Sequence, residues 1–246
     1  MRRHLLWKTS LMTDPRGAVV SEIEVADLAR VVYSSGKVFD GLRTGRVDTE
    51  NFLRSGSLAG VTSRGDLALL EDLRDVAEFV IDHRGRSIDG EFVKSLHAQI
   101  TRSGAMRPGV LRTAEEGIGV KTRYGRHEPD ALSDADLDSL VREALVHSED
   151  PRETAMELFV RLAKAQPFQD GNKRTALFVA NALLLSGDTG VLLVIPVDDE
   201  DVSVADAFND KLARAYVLDE EDGVKDMLRE HGFVTRPSRR RRESSR

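Results

Sequence analysis

The 246-residue sequence contains no cysteine, and aromatic side chains make up only 5% of it. The absence of cysteine excludes disulfides, thiolate metal sites and a cysteine nucleophile, and it fits a reducing compartment, so we expect a cytoplasmic protein. Long apolar runs are also missing, because the most apolar stretch, residues 191–197, is far shorter than the about 20 residues of a membrane-spanning helix. The basic start at Met1 lacks the apolar stretch of a signal peptide. We therefore expect no membrane contact.

Acidic residues outnumber basic ones in the chain as a whole but not at the C-terminus. The chain carries 36 Lys and Arg against 42 Asp and Glu, a net charge of −6, which argues against a body that coats nucleic acid. Residues 236–246 hold six Arg and one Glu, so this tail carries +5 and residues 1–235 carry −11. The tail has no apolar side chain to bury and is predicted to be disordered. It is either a solubilising end or the one place where a nucleic-acid partner is expected.

Apolar side chains recur at helical spacing along most of the chain. Ser133 and Asp150 are predicted N-caps, and a proline follows Asp150 at the first helical position. Residues 101–133 are rich in glycine and proline, which predicts a long structured loop or a hairpin. The sequence predicts helices over about residues 21–35, 66–82, 90–101, 133–147, 151–166, 172–186, 202–217 and 221–230.

A short polar loop separates two of these helices. Pro167 stops the first helix, and Asn172 opens the second after a glycine that lets a ligand approach the backbone. The first-turn N–H groups and the helix dipole favour an anion there, and Lys173 and Arg174 add positive charge. Asp170 could hold Mg²⁺ together with phosphates and water. The pattern favours a cradle for a Mg²⁺-nucleotide; the alternative is that Asp170 only caps the helix and both cations are solvated.

Residues 166–177 read Gln-Pro-Phe-Gln-Asp-Gly-Asn-Lys-Arg-Thr-Ala-Leu. They resemble the Fic/Doc signature, His-Pro-Phe-x-Asp-Gly-Asn-Gly/Lys-Arg, at every position except the first. Pro108–Thr113 is similar to the family's Pro-Gly-x-x-Arg segment, which precedes a hairpin flap, and His127–Asp130 is similar to the run that closes the flap. The resemblance implies an all-α fold, the Fic-fold helical bundle with a small β-hairpin flap. It divides the chain into N-terminal helices and linker (1–60), a Fic/Doc-like domain (61–218), a C-terminal helix (219–235) and the tail (236–246).

The resemblance also implies roles, position by position. Asp170 would be the metal ligand, Gly171, Asn172 and Lys173 the anion-hole loop that binds nucleotide phosphates, and Arg174 a phosphate contact. The implied cofactors are Mg²⁺ and ATP or another nucleotide. The implied partners are a protein target and, as in the toxin-antitoxin members of the family, an antitoxin.

Three segments depart from the family pattern. Gln166 replaces the catalytic histidine that takes the proton from the target hydroxyl, and glutamine has no group that titrates near neutral pH. Leu177 replaces a second arginine of the adenylyltransferases, as in Doc-like members, which include a toxin that phosphorylates its target. Ser55–Gly60 resembles the family's inhibitory stretch with Ala59 in place of its glutamate, or it is an ordinary Gly/Ser loop.

Three functions remain as hypotheses. The first is a Fic-fold pseudoenzyme, or a weakly active protein, that binds a nucleotide or a protein partner. The second is an atypical transferase that moves AMP or a phosphoryl group from a Mg²⁺-nucleotide to a protein hydroxyl, with a toxin-like role as one option. The third is a non-catalytic interaction module that reaches nucleic acid through the arginine-rich tail. Structural roles are expected for His97 and His127, the two histidines that could in principle replace the base.

Overall fold

The structure, a computed structural model, describes residues 23–104 and 106–237. This part of the chain forms a short 3-10 helix (Val25–Leu28), nine α-helices and two small antiparallel sheets, β1 with β2 and β3 with β4. The predicted all-α bundle with a small hairpin is confirmed. The elements are α1 (Ala29–Asp40), α2 (Arg46–Ser55), α3 (Arg64–Asp82), α4 (Gly90–His97), β1 (Val120–Thr122), β2 (Gly125–His127), α5 (Asp134–Leu145), α6 (Pro151–Ala165), α7 (Asn172–Ser186), β3 (Val191–Leu193), α8 (Ser203–Leu218), α9 (Asp222–His231) and β4 (Phe233–Thr235).

Side-chain caps determine where several helices begin. Ser63 Oγ accepts the backbone N–H of Asp66 (2.9 Å) at the start of α3. Ser133 and Asp136 form a reciprocal capping box at the start of α5. Asp150 accepts the N–H of Arg152 (2.8 Å) just before α6. Each cap satisfies an N–H group that has no partner within the helix, so short polar segments specify the helix starts.

The antiparallel pair of α6 and α7 forms the centre of the fold. These two helices pack against each other more extensively than any other pair; α1, α3 and α4 pack on α7, while α5, α8 and α9 pack on α6. Phe159 of α6 and Phe178 of α7 are fully buried. The Asn181 amide bonds both the N–H (3.0 Å) and the carbonyl (2.8 Å) of Leu193, which fastens α7 to β3. The loop between α6 and α7 is therefore held by the most extensively packed helix pair of the described residues.

Three helical segments differ from the sequence predictions. The first helix continues past residue 35 to Asp40, where Gly41 ends it in a left-handed conformation with φ of 67°. Helix α2 was not predicted, because its ten residues bury only Thr49, Phe52 and Leu53 and give a weak apolar period. Helix α4 ends at His97 rather than at residue 101.

The domain boundaries at residues 60 and 218 stay predictions, and one hydrophobic core extends from Ile23 to Val234. Arg236, the first residue of the predicted disordered tail, still belongs to the folded part. Its N–H donates to the Gly190 carbonyl (2.9 Å) and its guanidinium pairs with Asp188 (3.1 Å). The rest of the tail from residue 238 and the basic N-terminal segment, residues 1–22, lie outside the described residues. No helix in the described ranges is long and apolar enough to cross a membrane.

Candidate functional site

A proline and a glycine shape the loop between α6 and α7. Pro167 stops α6, and Gln166 before it adopts a left-handed backbone with φ of 47°. Gly171, the N-cap of α7, has φ of 73°, a conformation that strains residues with a side chain. A Cβ atom at Gly171 would also lie 3.1 Å from Ile100 and 3.4 Å from His97. The turn into α7 therefore requires glycine at this position.

Asn172 holds the loop together from within. Its Oδ1 accepts the backbone N–H of Phe168 (2.8 Å), and its Nδ2 donates to the carbonyl of Phe168 (2.8 Å) and to Oε1 of Gln166 (3.1 Å). Phe168 is fully buried and so anchors the loop in the hydrophobic core. The Asn172 side chain is thus committed to the loop, and its contribution to a ligand would come from its backbone N–H.

The start of α7 lines a small cavity of about 90 Å³. All six predicted site residues surround it, Gln166 and Asp170–Arg174, together with Phe39 and Asp40 from the end of α1. First-turn N–H groups have no partner within a helix and favour an anion. Ligand pockets for whole small molecules measure roughly 300–1,000 Å³, so this cavity has room for a phosphate group rather than a complete nucleotide.

Arg174 is the most deeply buried cation of the site, with 2% of its side chain exposed. Its Nη1 donates to Oγ of Ser103 (2.6 Å), and its Nη2 donates to the carbonyl of the same residue (3.2 Å). Nε lies 3.5 Å from the carboxylate of Asp40, and Nη2 lies 3.6 Å from that of Asp170. Ser103 therefore fixes one side of the guanidinium, while the other side faces two carboxylates.

Lys173 contributes a second cation to the same cavity. Its Nζ lies 4.8 Å from the centroid of the Phe39 ring, a cation–π arrangement. Burial lowers the pKa of Lys173, and the nearby carboxylates of Asp40 and Asp170 oppose that shift. The cavity therefore combines two cations with two carboxylates.

Asp40 is the site residue that sequence reasoning missed. Burial raises the pKa of Asp40, Arg174 and Lys173 lower it in part, and Asp170 raises it further. The Gly/Ser stretch that was compared with an inhibitory segment, Ser55–Gly60, does not line the cavity and is largely exposed. The carboxylate that approaches Arg174 from outside the loop thus comes from the end of α1.

Asp170 is accessible enough to hold a cation. Its side chain is 55% exposed, and Oδ1 accepts the N–H of Gly171 (2.7 Å). Gly104 approaches so closely that a Cβ atom on it would lie 2.4 Å from Oδ2 of Asp170. The described residues contain no group of three or more Asp, Glu, His or Cys side chains that could hold a metal ion. The site fits Mg²⁺ that takes one or two carboxylates and completes its shell with phosphates and water.

Gln166 is the residue that the sequence resemblance aligned with the family's base, and both ends of its amide are hydrogen-bonded. Nε2 donates to the carbonyl of Ala163, and Oε1 accepts from Asn172. Tyr216 lies beside it, and burial raises the pKa of that phenol, which keeps it protonated. No histidine lines the cavity within the described part of the chain. His127 stacks on Tyr216 with ring centroids 5.0 Å apart, and its Nε2 lies 2.6 Å from the Lys164 carbonyl.

His97 braces the loop from α4. Its Nδ1 accepts the backbone N–H of Gly109 (2.8 Å), so the hydrogen lies on Nε2, which is 3.0 Å from the carbonyl of Asp170. The ring stacks on Phe168 with centroids 3.7 Å apart. Both ring nitrogens are therefore occupied, and His97 orients the loop instead of facing the cavity.

His97 is expected to stay neutral down to about pH 4, because burial lowers its pKa to about 4. The unfolded chain takes up this proton near pH 6.5, so the free energy of unfolding should fall as the pH drops from about 6.5 to 4. An NMR titration of the ring and unfolding measurements across this range would test both statements. A ring that titrates near pH 6.5, or a His97→Gln variant with the same pH dependence as the natural chain, would contradict them.

Arg112 connects the loop to the hairpin of β1 and β2, which we call the flap. Its Nε donates to the Gln166 carbonyl (2.7 Å), and its Nη2 donates to the carbonyls of Pro129 (2.6 Å) and Asp130 (2.8 Å). The backbone N–H of Arg112 also donates to the Pro167 carbonyl (3.0 Å). One buried arginine thus joins the two outlying segments that the sequence resemblance singled out.

Comparison with known proteins bears on the fold of this chain and on the family of its central region. The sequence profile of the Fic/DOC family matches residues 87–184. No curated protein matches the chain. The solved structures that share its fold include a Fic domain containing signaling protein from Bacteroides thetaiotaomicron (TM-score 0.65, 18% identity, 84% of each chain covered) and Fic-1, residues 134–508, from C. elegans (TM-score 0.61, 17% identity, 86% of this chain covered). The chain spans 61% of the length of the C. elegans structure.

Proposed function

Residues 87–184 of this chain form a Fic/DOC domain, and we propose that its loop binds the phosphates of a Mg²⁺-nucleotide while group transfer to a protein hydroxyl is weak or absent. The observation that carries the proposal is the cavity at the start of α7, where Lys173, Arg174 and first-turn N–H groups surround a space of phosphate size. ATP is the nucleotide that we propose to test first. A protein partner, whether target or antitoxin, is part of the same proposal.

The weak or absent transfer follows from Gln166. In nucleotidyl transfer, the oxygen of the target hydroxyl would attack the α-phosphorus, a new P–O bond would form and pyrophosphate would leave. The hydroxyl proton must go to a base, and an amide cannot accept it at neutral pH. Loss of general-base catalysis lowers a rate by about 10²–10⁴-fold, while charge contacts to phosphates and metal are unaffected.

An atypical transferase is the second candidate, and the intact loop from Asp170 to Arg174 favours it. Leu177 stands where adenylyltransferases of the family have a second arginine and is fully buried here. Without that arginine, attack on the γ-phosphorus with ADP as the leaving group is the alternative to nucleotidyl transfer. Labels placed separately on the α- and γ-phosphates of ATP distinguish the two reactions, because only the transferred phosphorus stays on the protein.

Calorimetry of ATP binding with and without Mg²⁺ tests the proposal. We expect Mg²⁺-dependent binding that weakens by at least tenfold in Asp170→Ala and in Arg174→Ala, because charge-assisted contacts contribute on the order of 1.5–3 kcal/mol each. Arg142→Ala, which removes an exposed arginine on α5, is the matched control and should bind like the natural chain. An absence of ATP binding by the natural chain, or equal affinity in all variants, would refute a phosphate-binding role.

A further inference from the structure

Ser103 determines which edge of Arg174 faces the cavity. Nη1 and Nη2 of Arg174 point to Oγ and to the carbonyl of this residue. The adjacent edge, formed by Nε and the second N–H of Nη2, faces the carboxylates of Asp40 and Asp170. A guanidinium recognises phosphate best when two of its N–H groups lie parallel to two phosphate oxygens. The orientation imposed by Ser103 therefore leaves the Nε/Nη2 edge for the ligand.

Asp72, on α3, holds Ser103 in place. This carboxylate is fully buried and accepts the backbone N–H groups of Thr101 (3.1 Å), Arg102 (2.9 Å) and Ser103 (2.7 Å). It also accepts the Oγ–H of Ser103 (2.7 Å) and Nη1 of Arg102 (2.9 Å). Burial raises the pKa of Asp72, but these hydrogen bonds outweigh burial and hold the pKa below its ordinary value. The segment Thr101–Ser103 is thus fastened to a buried anion.

The hydroxyl of Ser103 links the Asp72 carboxylate to the guanidinium of Arg174. A hydroxyl has one hydrogen, and because Ser103 donates it to Asp72, the lone pairs of Oγ are directed at Nη1 of Arg174. Both hydrogen bonds involve a charged group, which makes each about twice as strong as a neutral one. Arg174 therefore donates to Ser103, and Ser103 donates to Asp72. The reverse order is impossible, because an ionised carboxylate only accepts and a guanidinium only donates.

We propose that Asp72 and Ser103 are positioning residues that set the orientation of Arg174 for bidentate phosphate binding. Neither residue lines the cavity, so each acts through Arg174. This inference rests on the proposed nucleotide-binding function for its effect on affinity. The orientation of Arg174 itself does not depend on that function and can be measured in the unliganded protein.

Ser103→Ala is the sharpest variant, because it removes the hydroxyl and leaves the backbone bonds to Asp72 intact. We expect the Kd for Mg²⁺-ATP to rise about tenfold, the order seen when an outer partner of a ligand-contacting group is lost. Asp72→Asn should weaken binding at least as much and should also lower the Tm. Arg102→Ala is the matched control: it removes one partner of Asp72 without touching Ser103, and it should change the Kd less than about twofold.

A double-mutant cycle separates positioning from general loss of structure. In an Arg174→Lys background, which lacks the Nε/Nη2 edge, Ser103→Ala should have almost no further effect on the Kd. Equal effects of Ser103→Ala in both backgrounds would overturn the inference, as would an unchanged Kd in the single variant when the natural chain binds ATP.

NMR of the Arg174 side chain supplies the readout that needs no nucleotide. In the natural chain, its Nε–H and Nη signals should be sharp and separate, because two hydrogen bonds restrict rotation of the guanidinium. Ser103→Ala should shift and broaden them, and Arg102→Ala should not. If the natural chain fails to bind ATP but these spectral changes occur, the proposed function is wrong and the positioning holds. Signals that are identical in Ser103→Ala and the natural chain would refute the positioning.

Discussion

Gln166→His is expected to raise the rate of label transfer from Mg²⁺-ATP to protein by about 10²–10⁴-fold over the natural chain, the usual contribution of a general base. The substitution replaces an amide that cannot titrate with an imidazole, while the loop residues around it stay unchanged. The gain should appear in the rate and not in ATP affinity, because the base acts on the target hydroxyl rather than on the nucleotide.

The surroundings of Gln166 suit an imidazole. In the natural chain, the Ala163 carbonyl accepts from the Gln166 amide. The same carbonyl can accept one N–H of a histidine ring and so fix its tautomer. The side chain of Asn172 already bonds to residue 166 and holds it in the loop. Gln166 is 5% exposed, and burial favours the neutral ring that a base requires. The left-handed backbone at this position, with φ of 47°, is one that histidine adopts more readily than most residues.

The measurement uses ATP labelled on the α- or the γ-phosphate, incubated with the purified chain alone and with a bacterial lysate as a source of acceptor hydroxyls. Gln166→Leu keeps a similar volume without a base and should stay as inactive as the natural chain. Adding Arg174→Ala to Gln166→His should remove the gained activity. If Gln166→His transfers no more label than Gln166→Leu, the missing histidine does not limit the reaction.

The predicted site residues surround one cavity because they are close together in the sequence. Gln166 and Asp170–Arg174 lie within nine consecutive residues between two largely buried helices, α6 and α7. Proline and glycine in this segment dictate a turn whatever surrounds it. The anion-binding property follows from the start of a helix, which needs no tertiary contact to exist. Reading these residues together therefore placed them around one cavity.

The sequence could not predict which residues from distant segments contact the loop between α6 and α7. Asp40 lies more than 120 positions before the loop, at the end of a helix that was predicted to stop at residue 35. Asp72 looks like one of several charged positions on an amphipathic helix, and only tertiary packing turns it into a buried acceptor. Arg112 was noticed by resemblance, but its bonds to Gln166 and Pro129 depend on how the flap packs. Periodicity reports which face of a helix is buried, not which polar group is buried with it.

Asp40→Asn is expected to tighten Mg²⁺-ATP binding by about ten- to hundredfold. The Asp40 carboxylate lies 3.5 Å from Nε of Arg174, on the edge that a phosphate would use, so it competes with the ligand for the same donor. Its negative charge also repels phosphate oxygens. A charge-assisted contact of this kind is worth on the order of 1.5–3 kcal/mol, which corresponds to the expected gain in affinity.

The raised pKa of Asp40 predicts a second effect with a definite sign. A carboxyl that binds protons more tightly in the folded state than in the unfolded state destabilises the fold when it is ionised. Asp40→Asn should therefore increase the free energy of unfolding at pH 7, and the difference from the natural chain should shrink as the pH falls through the folded-state pKa of Asp40. Affinity and stability should thus rise together in this variant.

Calorimetry of Mg²⁺-ATP binding and unfolding curves at pH 7 and pH 4 check both effects. Glu78→Gln, which neutralises an exposed acid in the middle of α3, controls for the change in net charge and should leave both quantities nearly unchanged. A Kd for Asp40→Asn equal to that of the natural chain would mean that Asp40 moves away from Arg174 on nucleotide binding without a cost in free energy. A weaker affinity would instead mean that Asp40 helps Asp170 to hold the metal, which reverses its assignment from competitor to ligand.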